Sequence, residues 1–168
     1  MNLMRRLILF RHSEAVHSER YRDHERRLTP SGRKAAAGAG ARLAERDLAI
    51  DLALVSDSER TRETWDIALA HFSRAPETRL EKPLYEADRR DLMDLVRQSL
   101  ESVKTLIIVG HNPSIAEFSA HFAGRGERAA LKGLGRGFPT SGIAIFEIED
   151  SEWRKLRWGD GNLTDFLT

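Results

Sequence analysis

The chain has 168 residues, 40% hydrophobic and 32% charged, enough for one compact domain spanning 1–168 and too few for two ordinary ones. Its 27 basic and 26 acidic residues leave a net charge of +1, so no global field recommends nucleic acid or a membrane as partner. With no cysteine, disulfides, thiolate metal ligands and cysteine nucleophiles are excluded.

The opening "MNLMRRLILF" carries an apolar run too short for a secretory h-region, and no stretch approaches the length of a membrane span. The expected location is cytoplasmic, and the expected state is a monomer. Leu7–Phe10 reads as a short strand buried on both faces, followed by a polar loop over 13–27. "LTPSG" starts a helix, with Thr29 as N-cap and Pro30 at the first helical position, running to about Arg46. "DLALVS" (51–56) is a second buried strand, and 58–72 a second helix with Thr64, Ile67, Ala68 and Phe72 near one face and Trp65 in the core. "TRLEKPLY" (78–85) reads as a weaker edge strand, because Pro83 has no N–H for a ladder. An amphipathic helix over 89–103 carries Leu92, Leu95, Val96 and Leu100 as its stripe. "TLIIVG" (105–110) is a third parallel strand, and "NPSIAEFSAHFAG" the helix after it. "SGIAIFEIE" (141–149) and "EWRKLRW" (152–158) suggest a terminal hairpin. This alternation predicts an α/β class domain with a mostly parallel sheet.

In such sheets ligands bind beyond the carboxyl ends of the strands. Two strands end there in histidine, "LILF-RH" at His12 and "LIIVG-H" at His111, and a third leads into a helix whose first turn carries Arg60. Arg11 and Arg60 would suit a phosphoryl group, whose oxygens guanidinium donors grip in pairs. A histidine neutral near pH 7 can attack phosphorus, and the helix after His111 turns its N-terminal dipole to the same rim. Taken singly, each of these residues also reads as solvated or structural, and "GHNP" as a turn in which Asn112 caps a helix starting at Pro113.

"RHSEA", "LTPSG", "VSDSERTRET" and "VGHNPS", in this order, resemble the histidine phosphatase (phosphoglycerate-mutase-like) superfamily. The short chain and "LYEA" are most similar to its small branch, the SixA-type phosphohistidine phosphatases. The resemblance covers about residues 5–149 and implies a three-layer α/β/α sandwich and a covalent phosphohistidine on His12. It implies phosphate binding by Arg11, Arg60, His12 and His111, and no cofactor. Three departures stand out: Ser13 where the family has glycine, Asp57 for proline and Glu63 for glutamine. Asp57 and Glu63 add anionic residues near Arg60.

The reaction this implies is metal-independent dephosphorylation in two in-line displacements. His12 attacks phosphorus, Arg11, Arg60 and a cationic His111 hold the equatorial oxygens, and water then hydrolyses the phosphoenzyme. Glu86 of "LYEA" is the candidate acid for an alkoxide leaving group, and a solvated glutamate is the alternative. The other histidines, His17, His24, His71 and His121, show no metal-binding spacing; His71 and His121 stand near helix C-termini, where a cation is favourable. Arg20, Arg22, Arg26 and Arg27 form either a solvated basic loop or a surface for an acidic phosphoprotein. The expected substrate is a phosphohistidine protein. Rival readings are a phosphatase of a small phosphomonoester and a phosphate-dependent binding module.

Overall fold

The computed structural model describes residues 4–17 and 19–168; of the segments read above, Met1 to Leu3 and the loop residue Ser18 lie outside the described residues. In chain order the described elements are β1 (Met4–Arg11), α1 (Pro30–Ala44), β2 (Leu52–Ser56), α2 (Glu59–Leu69), β3 (Glu77–Glu81), α3 (Arg89–Arg97) and β4 (Thr105–Gly110). Then come α4 (Ser114–Phe122), β5 (Ala123–Gly126), α5 (Arg128–Gly135), β6 (Ile143–Glu149) and β7 (Gly161–Leu167). Short 3-10 turns occur at Asp23–Glu25, Lys82–Tyr85 and Trp153–Lys155.

The strands form one seven-stranded sheet in the order β3-β2-β4-β1-β6-β7-β5. Pairings among β1, β2, β3 and β4 are parallel, as is β5 with β7, while β6 runs antiparallel to both β1 and β7. Side chains alternate across the sheet, as the period of a strand dictates. Leu7, Leu9, Leu106 and Ile108 pack on one face with Leu92, Val96, Phe118 and Phe122 of α3 and α4. Ile8, Phe10, Ile107 and Val109 pack on the other with Ala39, Leu43, Trp65 and Ala68 of α1 and α2. The fold is therefore an α/β/α sandwich on a mostly parallel sheet, and burial on both faces explains why β1 and β4 read as unbroken apolar runs.

Several expectations need correction. The 78–85 strand stops at Glu81, because Lys82–Tyr85 turns into a 3-10 helix with Pro83 in its first turn. The strand is an edge, as expected. Helix α3 ends at Arg97 and leaves Leu100 63% exposed, so the stripe is Leu92, Leu95 and Val96, as expected, joined by Met93 instead of Leu100. The partner of β6 is β7, not 152–158. Trp153 and Leu156 are both buried from a 3-10 turn, a three-residue spacing that a strand would have sent to opposite faces. The helix expected over 112–124 ends at Phe122, and its last two residues instead open β5; the rest of β5, α5 and β7 have no counterpart among the expected elements.

Candidate active site

β1, β2 and β4 lie side by side in the sheet, so their carboxyl ends form one rim. Arg11 closes β1, His12 follows it, and His12 N–H donates to the carbonyl of Gly110 at 3.1 Å, continuing the ladder one residue past the strand. His111 follows β4, and the two imidazole rings stand 5.3 Å apart between centroids. Arg60 enters from the first turn of α2 and its guanidinium lies 5.7 Å from the ring centre of Tyr85. The Tyr85 ring in turn meets His111 edge-on at 5.5 Å. Both histidines and Arg60 are buried.

The hydrogen bonds define what each group can do. His12 Nδ1 lies 2.8 Å from the carbonyl oxygen of Ser13. A carbonyl only accepts, so Nδ1 carries the ring proton and Nε2 carries the lone pair. Burial, reinforced by the positive charges of Arg60 and Arg11, lowers the His12 pKa to about 4 against the weaker upward pull of the Ser13 bond, so the ring is neutral at pH 7. Burial and then the neighbouring His12 and Arg60 lower His111 to about 3. The sequence reading asked His111 to be cationic. In the free pocket it is neutral, and a proton is favoured there only once phosphoryl charge enters.

Arg11 Nη1 donates to the carbonyl of Phe138 at 2.9 Å, and Asn112 Nδ2 donates to the same oxygen at 3.0 Å. Asn112 therefore does not cap α4, which starts at Ser114 without a side-chain cap. Arg11 Nε, His111 Nδ1 and Asn112 Oδ1 are buried without a hydrogen-bond partner among the described residues. Three such groups in one place are costly to folding, a cost typical of a site built for a ligand. His111 Nε2 lies 2.8 Å from Ser56 Oγ, which ties it to the end of β2.

Two further residues, absent from the sequence reading, complete the rim. Asp23, in the first 3-10 turn, accepts from Arg60 Nη1 through its carbonyl at 2.8 Å and from Nη2 through Oδ2 at 3.2 Å. Tyr85 Oη donates to the same carboxylate. The Tyr85 bond, with Arg26 and Arg60, lowers the Asp23 pKa to about 2. The only sequence cue for Tyr85 was its place beside Glu86; Asp23 was hidden in the charged run "RYRDHERR". Glu86 itself is exposed and borders a neighbouring cavity of about 390 Å³ with His24, Asp57, Lys82, Pro83 and Tyr85.

Each departure from the family pattern has a local partner. Ser13 Oγ hydrogen-bonds Ser141 Oγ at 2.6 Å, and Ser13 N–H donates to Thr64 Oγ1 at 3.0 Å. Asp57 Oδ1 lies 2.8 Å from His24 Nε2. Glu63 accepts from Leu28 N–H at 2.9 Å and from Arg33 Nε at 2.6 Å. The two added carboxylates are thus occupied by the loop after β1 and by α1. In the basic run, Arg26 is tied to Val16 and Asp23. His121 caps its own helix turn through Glu117, and His71 lies beyond the end of α2.

The family model of the histidine phosphatase superfamily (branch 1) matches residues 7–103. An uncharacterized protein of Mycobacterium leprae is 32% identical over 86% of this chain and 87% of its own length. One of Mycobacterium tuberculosis is 30% identical over 93% and 97%. Among solved structures, a candidate phosphohistidine phosphatase SixA from Nakamurella multipartitia superposes with a TM-score of 0.85 at 25% identity, covering 98% of this chain and 96% of that one. A second candidate SixA, from Agrobacterium tumefaciens, gives 0.80 at 27% identity over 98% and 97%. With its matched span, its sandwich fold and its strand-end histidines, this chain belongs to branch 1 of the histidine phosphatase superfamily, a class of phosphatase hydrolases.

Proposed function

We propose that the chain is a phosphohistidine phosphatase, a single catalytic domain that hydrolyses protein phosphohistidine through a covalent intermediate on His12. The observation that carries this reading is the His12 tautomer: Nδ1–H is engaged by Ser13, and Nε2 keeps a lone pair beside Arg11, Arg60 and His111. A neutral imidazole with a fixed proton on the far nitrogen is a nucleophile in its reactive form. In the first displacement Nε2 bonds to phosphorus, the bond from phosphorus to the substrate nitrogen breaks, and the departing imidazole takes up a proton. In the second, water attacks the phosphoryl group in line, His12 leaves with its electron pair, and phosphate is released. Arg11, Arg60 and His111 stabilise the equatorial oxygens in both steps, with no metal.

Glu86 serves as acid only for leaving groups that need one. An imidazole needs far less help than an alkoxide. The two solved relatives described as candidate SixA proteins support the same substrate class. The test is chemical quench during turnover of a phosphohistidine peptide: acid-labile phosphate on His12 is expected, and its loss in His12→Ala. Phosphate recovered on serine or aspartate, or binding of the peptide without turnover, overturns the proposal.

A further inference from the structure

A guanidinium offers five N–H donors: an end-on edge lies between its terminal nitrogens, and a single side edge pairs Nε–H with one terminal nitrogen, the other side being closed by Cδ. In Arg60 the end-on edge is taken within the protein. Nη1 donates to the Asp23 carbonyl at 2.8 Å and Nη2 to the Asp23 carboxylate at 3.2 Å. Asp23 is itself immobilised, although its side chain is 55% exposed. Its second carboxylate oxygen accepts from Arg26 Nη1 at 2.8 Å, and Arg26 Nε is anchored on the Val16 carbonyl at 2.8 Å. Tyr85 donates its hydroxyl to Asp23 and presents its ring to Arg60. The next residue, His24, pins the turn from outside through Asp57 and packs edge-on against Tyr85 at 4.9 Å.

An isolated surface ion pair contributes little, but this is a network in which each partner is held by another. Such networks fix a side chain's plane, which matters most where two donors must meet two oxygens at once. An arginine free to rotate would lose that match, and a misplacement of about 1 Å near a reacting phosphoryl group is costly in rate.

We propose that Asp23 is a positioning residue for Arg60: by holding its end-on edge beside the Tyr85 ring, it leaves a side edge of the guanidinium presented in one orientation to the phosphoryl group. This rests on the phosphatase reading of the site. It gives the loop after β1 a catalytic purpose distinct from recruiting substrate, and explains why a carboxylate stands against a cation meant for phosphate.

The test is a double-mutant cycle with a chromogenic aryl phosphate. Asp23→Asn keeps the main-chain acceptor and removes the charge; Asp23→Ala removes the side-chain contact entirely. In the wild-type background Asp23→Ala is expected to lower kcat/KM by about 10- to 100-fold, mostly in kcat, with Asp23→Asn intermediate. In an Arg60→Ala background the same changes should cost less than about threefold, because the residue through which Asp23 acts is gone. A purely structural role would cost the same in both backgrounds and overturns the inference. Inhibition by inorganic phosphate gives a second readout that needs no new substrate and still applies if Asp23→Ala folds poorly. Asp23→Asn should weaken it. Tighter phosphate binding would mean that the carboxylate competes with phosphate for Arg60, and that also overturns the proposal. If Arg60→Ala retains full turnover, the phosphatase site itself is wrong and this inference falls with it. If Arg60→Ala is crippled while Asp23→Asn changes nothing, only the positioning role falls.

Discussion

At the residue scale the pocket's chemistry turns on two imidazoles kept neutral by burial. His12 is lowered to about 4 and His111 to about 3, against about 6.5 in an unfolded chain. Ring-proton NMR across pH 3–8 should therefore find two histidines that do not titrate near 6.5. The same shifts bear on stability. As pH falls below about 6.5 the unfolded chain takes up protons that the folded pocket refuses, so stability declines from there down toward the folded values. His12→Ala should flatten part of that decline in denaturant midpoints measured between pH 7 and 4. Arg60→Ala should cost more activity than Arg60→Lys, yet lysine should not restore it, since an ammonium cannot grip two oxygens at fixed geometry. The convergence of Arg11, His12, Arg60 and His111 was legible because apolar runs mark where β1, β2 and β4 end, with Arg11 and the two histidines at those ends and Arg60 in the helix turn that follows β2. Asp23 and Tyr85 were not: their places come from a folded-back loop and a 3-10 turn, which no periodicity marks.

At the element scale, the helix pair was readable in two ways, α1 from its start signals and α2 from the residues along one face. Thr29 caps α1 by accepting from Gly32 N–H at 2.9 Å, with Pro30 next to it, and Thr29→Ala should cost about 1 kcal/mol by chemical denaturation. What the sequence did not disclose is how closely the pair packs. A methyl group on Gly40 would stand 2.5 Å from Ala68 Cα, so the two backbones touch where a side chain would separate them. Alanine is the better helix former by roughly 1 kcal/mol, yet Gly40→Ala should destabilise by about 1–3 kcal/mol through overpacking. A rise in the denaturation midpoint would contradict that contact. The miss over 123–135 has a different cause. "AGRGERAALKGLGRG" is rich in glycine and lacks an apolar run, and β5 forms because β7 offers it a parallel partner. Likewise "GNLTDFL" looks like a polar tail until β6 pairs with it.

At the scale of the whole molecule, access to the pocket decides which substrates suit it. Between Glu86 and Thr105 the chain builds only the nine-residue helix α3, with no long insertion to close over a small substrate and complete its site. A phosphohistidine presented on another protein's surface should therefore be turned over with much higher kcat/KM than 3-phosphoglycerate or a sugar phosphate. Glu86→Gln should spare the phosphohistidine reaction and depress any alkyl phosphate reaction, because only an alkoxide must be protonated as it leaves. Efficient hydrolysis of a small sugar phosphate with phosphohistidine ignored would reverse the assignment. Among the described residues no group of three histidines, aspartates or glutamates is gathered to hold a metal ion, and EDTA is expected to leave turnover intact.

The placement of β7 between β6 and β5 has a consequence for synthesis on the ribosome. Among the described residues β5 pairs only with a strand that begins 35 residues after its own last residue, at Gly161. Until that segment leaves the exit tunnel, β5 and α5 have no sheet edge to join, while β1, β2, β3 and β4 can already pair with one another. The nascent chain thus carries the rim of His12 and His111 on a half-sheet whose β1 edge is open until β6 arrives. An unpaired edge of that kind invites association with other chains. Ribosomes stalled at about residue 140 should then hold a more protease-sensitive and aggregation-prone product than ribosomes that carry all 168 residues ahead of an added tunnel-spanning linker.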